Sequence, residues 1–573
     1  MNKEDIINSW KLDSLYDSFQ ESYQDDMGRA IVMARQLASW FGNSETLAPK
    51  ERINEFLQRE EDFRQLHEKL SRFARLAFFA DNGNDAARLA LAKSEETMGV
   101  WVSNRVPFLN WLKEADLTEL ESEKEAHLKR LLVLANHTGT SREEKLAQSF
   151  RSTGSRVMNS IYEKSLSSTS LAQCRSKISA ICEKDRKEAV EVARGIGEEL
   201  GDTAALCLNS IAAEWSTLAE MNNHSSALEQ ALYLCKTDKD TLQRLLEAIE
   251  EMLPSFQHFF RLKAKLLGHK GSLPYYDLMA PIPNVTDKVL SFEEACSTVT
   301  HYFSLADEGL ASMAKRAIEN GWVDWQPRKR KCPGAFCHPL RTLGQSRILL
   351  NFTGSPGDLT TLAHELGHAF HNDCLKGKLI TEQEYSIAIA ETASVFCELI
   401  VFEKLIEEVR GKERLALLNT ALSTAARLVV ATYAHFLFER AVYEKRNERE
   451  LTVKELNDFM ARALIEAYGD SVKTKGIENS WVYRRHLFGT KRNFYNFPYA
   501  FGFVLASFLM RQYRQQGKDF FSKYRKFLLR SGIYDVADSA EALQLDVRKK
   551  GCWQSVVDEL KETVSKFEEE INK

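Results

Sequence analysis

Histidine, glutamate and histidine stand at positions 364, 365 and 368, the H-E-x-x-H order that places two metal ligands and a base on one helix. With about 100° of turn per residue, His364 and His368 lie one turn apart and only about 40° from each other around the axis, so both imidazoles reach a common point. Glu365 is offset by about 100° from His364, near enough to face a water at a bound metal without becoming a third ligand, and is the expected general base. A catalytic zinc usually has three protein ligands and keeps its fourth position open. A further donor must therefore come from elsewhere. Glu391 lies in AIAETASVF, among small and apolar residues, where a carboxylate is costly unless it is paired or bound to a metal. His371, one turn beyond His368 on the same face, is either a further donor or a structural partner of the site.

The segment SPGDLTTLAHELGHAFHNDCLKG, residues 355–377, reads as the helix that carries the motif. Ser355 can cap it, Pro356 suits the first helical position, Asp358 complements the N-terminal dipole and Gly377 is a stop signal. Gly367 would allow another backbone to approach closely. A second helix is expected from Thr381, in a T-x-x-E capping box with Glu384, through Glu391 to Leu399. The β-branched and aromatic run SRILLNFT, residues 346–353, predicts a short ribbon just before the motif helix. Elsewhere only 11 prolines and 27 glycines interrupt the chain, and stretches such as 49–80 and 240–268 repeat apolar residues at spacings of three and four. The expected fold is therefore mainly α. A soft boundary near residue 200 suggests a helical N-terminal lobe, 1–200, and a catalytic part, 201–573. The basic run RKRK at 328–331 reads as a solvated loop.

At 573 residues and 44% hydrophobic composition the chain is long enough for two or three folding units. Its net charge of -4 and 28% charged residues give no broad positive field, so neither nucleic acid nor an anionic membrane is an expected partner. The start, MNKEDIINSWKLDSLYDSF, has no uninterrupted apolar core of a secretory signal. The apolar window from Ala500 to Met510 is about half the length that crosses a bilayer. Ten scattered cysteines without a C-x-x-C pair fit a reducing cytoplasm, with Cys182 and Cys397 expected as small core residues.

Across Lys331 to Glu398 the sequence resembles the oligoendopeptidase F branch of the thimet oligopeptidase family of zinc metallopeptidases. GAF at 334–336, ILLNFTGSPGDLTTLAHELGHAFH at 348–371 and AETASVFCE at 390–398 carry the resemblance. Weaker similarity, including PYYDLMAPIP at 274–283, extends it to about residues 200 to 570. It implies His364, His368 and Glu391 as ligands of one zinc ion, Glu365 as base, and short peptides as substrates. It also implies a two-lobed helical ellipsoid with a deep channel, along which the ribbon near 346–353 pairs with a substrate strand. The family further uses a His and tyrosines on a glycine-containing segment to bind substrate and stabilise the oxyanion. Here that segment is 481–503, with His486, Tyr495 and Tyr499 as candidates, and it departs from the family's tyrosine-rich pattern at Asn496, Phe497 and Pro498. From the residues alone, Tyr495 and Tyr499 read as core or surface aromatics rather than as catalytic groups. Three other readings stay open: a zinc exopeptidase, a non-catalytic peptide binder, and a structural zinc site that recruits Cys374 or Cys397.

Overall fold

The computed structural model describes residues 10–115, 125–171, 174, 177–283 and 289–573. The first nine residues of the segment inspected for a secretory signal lie outside them. The chain gathers into two compact units, each discontinuous in sequence. One comprises Met1–Lys145, Asp287–Phe402 and Leu509–Leu543, the other Leu146–Thr286, Glu403–Phe508 and Gln544–Lys573. The division expected near residue 200 instead falls inside the long helix Glu183–Met221.

In the first unit, the helices Glu21–Asn43, Pro49–Ala80 and Asp85–Asn104 close over an aromatic core. The middle one has the bounds its periodicity predicts, with Pro49 at its first turn. Phe63 stacks on Trp101 at 4.1 Å and Phe56 on Phe108 at 3.7 Å between ring centroids, contacts that add directional packing to the area they bury. The same unit holds a small three-stranded sheet, formed by β1 (Val323–Asp324), β2 (Phe336–Leu340) and β3 (Gln345–Leu349) in the order β1-β3-β2. The expected ribbon is therefore present, with β3 parallel to β1 and antiparallel to β2.

The register of this sheet fixes which backbone groups are left over. The amides of Ile348 and Leu350 donate to Trp322 and Asp324 on the β1 side, so by alternation those of Arg347 and Leu349 face β2. Arg347 pairs with His338 and Leu349 with Phe336. Cys337 and Pro339 consequently turn their backbone groups away from β3. The outer strands of the sheet are β1 and β2, so among the described residues the edge beside the hairpin belongs to β2, and β3 is flanked on both sides.

Lys331 corrects the reading of RKRK as a wholly solvated loop. Its ammonium is buried against Asp324 at 2.9 Å and also donates to the carbonyls of Asp324, Gln326 and Leu350. Arg328 and Arg330 pair with Asp324 and Asp81. The run thus ties the loop before β2 to β1.

The second unit is built from long helices, among them Glu183–Met221, Lys239–Leu266, Val453–Tyr468 and Gln554–Asn572. Asp238 caps the second of these through Thr241 N–H at 2.8 Å. One described stretch, Gly411–Arg446, is long and apolar enough to cross a membrane by length and composition, and 56% of its most apolar window is buried inside the structure. Burial of that kind is what a core helix of the unit requires.

Candidate active site

The motif helix, α1 (Pro356–Cys374), begins as its sequence predicts. Ser355 Oγ accepts the Asp358 amide at 3.2 Å, and Asp358 Oδ2 accepts the Ser355 amide at 3.0 Å. This reciprocal cap satisfies two amides that the first turn would otherwise leave bare. The helix ends at Cys374, three residues before Gly377, whose φ of +84° serves the turn that follows. Near the C-terminal end, Asn372 Nδ2 donates to Ser346 Oγ on β3 at 3.0 Å, while Tyr385 Oη donates to Asn372 Oδ1 at 2.6 Å. The helix is thereby fixed to the sheet.

The second helix, α2 (Ile387–Glu408), starts six residues later than expected. Thr381 and Glu384 form no capping box with each other. Thr381 donates to Glu61 Oε2 and Glu384 pairs with Arg64, so partners distant in sequence take the groups that would have closed a local cap. Ser386 caps instead, its Oγ accepting the Ile389 amide at 3.2 Å.

Gly367 sets how closely α1 and α2 approach. A Cβ there would stand 2.7 Å from Ser394 Cα and 2.8 Å from Ala393 O, both backbone atoms. Because a helix brings residues three, four and seven apart onto one face, His364, Gly367 and His368 share a stripe on α1 while Glu391, Ser394 and Glu398 share one on α2. The glycine contact presses these two stripes together. The donor atoms of His364, His368 and Glu391 all lie within 4.8 Å of one another. His364 Nε2 is 3.5 Å from Glu391 Oε2.

Glu398 is the residue that the sequence reading missed. His364 Nδ1 lies 3.2 Å from Glu398 Oε2. In this pairing Nδ1–H donates to the carboxylate, which orients the ring so that Nε2 faces Glu391. The signal was present in the sequence, since Glu398 follows Glu391 by seven residues and so faces the same way. We expect Glu398→Gln to weaken metal binding by about 10- to 100-fold, the usual effect of removing such a supporting partner. Competition against a metallochromic chelator measures this, and an unchanged affinity would show that the 3.2 Å contact does not orient the ring.

The electrostatics suit a cation. Burial opposes charge on His364, but hydrogen bonds with Glu391 and Glu398 outweigh it and raise its pKa to about 10. The surroundings thus favour positive charge at this imidazole. Burial pushes His368 down to about 4, leaving it a neutral donor. Burial alone would raise Glu391, yet the bond from His364 holds its carboxyl below the ordinary range. Glu365 is 5% exposed, and burial pushes it up to about 7. Among the described residues its Oε2 is buried without a hydrogen-bond partner, an orphan that a functional site accounts for better than a structural one does. Two imidazoles, a carboxylate and an unpartnered acid beside them fit a catalytic zinc site.

His371 falls on the structural side of its two readings. It is fully buried, its Nε2 is 2.7 Å from Ser531 Oγ, and its ring stacks on Tyr385 at 4.0 Å. No cysteine joins the donor group among the described residues. Cys397 is a buried core residue as expected, whereas Cys182 is exposed just before the helix Glu183–Met221. A cavity of about 260 Å³ lies one turn upstream of Glu365 on α1, lined by Gly334, Ala335, Leu350, Phe352 and Thr361 among others.

The remaining candidates belong to the second unit. His486 sits on the short helical turn Arg485–Phe488, 5.2 Å from the His435 ring, with its Nε2 buried and unpartnered. Burial pushes its pKa down to about 3. Tyr495 and Tyr499 are brought together, their hydroxyls 2.6 Å apart.

A mainly helical chain with this donor set on two adjoining helices belongs to a family that comparison identifies directly. Residues 182–557 match peptidase family M3, and the chain belongs to that family. It is similar to the chromosomal oligoendopeptidase F of Lactococcus lactis subsp. cremoris, at 29% identity over 328 residues that cover 56% of this chain and 54% of that protein. Oligopeptidase PepF of Bacillus subtilis is 28% identical over 347 residues, 60% of this chain and 51% of its own length. The match thus spans about half of each of these relatives. Among solved structures, a Chlamydophila abortus protein superposes with a TM-score of 0.82 at 19% identity, over 100% of this chain and 99% of that one. Oligoendopeptidase F from Enterococcus faecium gives 0.69 at 16%, over 98% and 100% respectively. At such identities these two likenesses speak to fold.

Proposed function

We propose that the protein is a zinc-dependent endopeptidase that cleaves internal bonds of short, unstructured peptides. His364, His368 and Glu391 are the ligands of one zinc ion per chain and Glu365 is the general base. The observation that carries this reading is the convergence of three donors within 4.8 Å beside a buried carboxyl whose Oε2 has no hydrogen-bond partner among the described residues. A zinc ion held there supplies Lewis acidity, which lowers the pKa of a water and polarises a carbonyl.

The chain's own groups do the rest. Glu365, with a pKa near neutrality, takes the water proton and later returns it to the leaving amine. His486, Tyr495 and Tyr499 are the proposed donors to the substrate and its developing oxyanion, on the family pattern. One such donor is worth about 2.7 to 4 kcal/mol where it has been removed elsewhere. The open edge of β2 offers Cys337 N–H and C=O and Pro339 C=O to an extended peptide, holding it by its backbone and leaving side-chain preference loose. Ten unpaired cysteines support the cytoplasm as its compartment.

Incubating one peptide of intermediate length with the protein, with and without a chelator, and weighing the products by mass spectrometry tests the proposal. Internal fragments that vanish with the chelator and return with zinc are expected. Residue-by-residue trimming from one terminus would make it an exopeptidase, and chelator-resistant cleavage would remove the metal from the mechanism.

A further inference from the structure

The second unit buries a carboxyl that the chemistry above does not use. Glu439, on α3 (Thr432–Arg446), is 4% exposed. Burial pushes its pKa up to about 8. The Phe494 backbone N–H donates to Glu439 Oε1 at 2.7 Å. Phe494 is itself unusual: its φ is +46°, a left-handed conformation, and its side chain is 2% exposed. A bulky residue keeps that conformation only where its surroundings over-determine it.

Here the surroundings come mostly from one face of one helix. Phe436, Glu439 and Tyr443 are three and seven residues apart along α3 and therefore project together. The Phe494 ring lies 5.7 Å from that of Phe436 and 5.1 Å from that of Tyr443, nearly parallel to the latter at 29°. The preceding residue is pinned as well, with Asn493 Nδ2 donating to Ala227 O at 2.9 Å. Immediately after the left-handed residue come Tyr495 and then Tyr499 in the first turn of α4 (Phe497–Gln516). A change of φ at Phe494 would swing the chain that leads to both.

We propose that this face of α3 is a clamp that holds Phe494 in its left-handed conformation and so aims the tyrosine pair, with Glu439 as a positioning residue for catalysis. The inference rests on the role given to Tyr495 and Tyr499 under the proposed function. Glu439 acts by accepting one buried backbone amide. Losing that acceptor leaves the buried amide unpaired, and relaxation to an ordinary φ rotates Tyr495 away from its partner.

The test is a mutant cycle with kcat and KM measured separately. Glu439→Leu is expected to lower kcat by about 10²-fold, the scale of a misplacement of about 1 Å, with KM little changed. Glu439→Gln keeps an acceptor oxygen in a neutral side chain and should restore most of kcat. If the leucine variant fails to fold, Glu439→Asp asks the same question with an arm one methylene too short. The decisive comparison adds Tyr495→Phe and Tyr499→Phe. If the clamp acts through the tyrosines, Glu439→Leu costs little more in the double-phenylalanine protein, because effects through a shared path do not add. Full additivity, or a folded Glu439→Leu protein with unaltered kcat, overturns the clamp while leaving the tyrosine assignment intact. A double-phenylalanine protein with wild-type kcat overturns the tyrosine assignment and the clamp with it.

Discussion

Replacing Glu365 by glutamine is expected to leave the metal content unchanged and to lower peptide turnover by about 10²- to 10⁴-fold, the range associated with a positioned general base. The amide preserves the shape of the side chain but cannot accept the water proton. Since Glu365 is offset around α1 from the His364 and His368 stripe and lies outside the donor group, its loss removes no ligand. Glu391→Ala is the contrasting variant, because it deletes a donor and should lower zinc occupancy. Metal analysis beside a quenched-fluorescence peptide assay separates the two. Full activity in Glu365→Gln would remove this residue from the mechanism, and undiminished zinc in Glu391→Ala would point to another third ligand.

The second large effect concerns a residue with no side chain. Gly367→Val is expected to destabilise the protein by at least about 1 to 3 kcal/mol, as overpacking of a tight contact does, and to abolish zinc binding even where the fold survives. The atoms in the way, Ser394 Cα and Ala393 O, are backbone and cannot turn aside as a flexible side chain would. The two helices must separate, and Glu391 moves away from the imidazoles with α2. Thermal unfolding followed alongside zinc titration reads both consequences. A variant that binds zinc with normal affinity would show that the helix contact does not set the ligand geometry.

What the sequence disclosed about this site was what local rules govern. Ser355, Pro356 and Asp358 mark the start of α1 because a helix cap is made by residues within three positions of one another. The i, i+4 spacing of the histidines is likewise internal to one helix. Helix periodicity gave the bounds of Pro49–Ala80 for the same reason. The failures have distant partners. Thr381 and Glu384 have the spacing of a cap, yet Arg64, 320 residues away in sequence, holds Glu384. Lys331 reads as solvated until Asp324 and three carbonyls are placed around it. Glu398 faces α1 legibly enough, but its role depends on the direction of the His364 ring, which only the packed helices define. The two units escape notice because the chain enters each of them three times, so no single linker marks the division.

The position of β2 at the outside of its sheet has a consequence for self-association. An unpaired strand invites the same strand of a second molecule, the first step of edge-to-edge self-association. Pro339 stands on that outward side and has no N–H to give, so between two such edges only Cys337 offers both a donor and an acceptor. A ladder nucleated there would stop after one residue, which limits the growth of sheets between molecules in a concentrated solution of the protein.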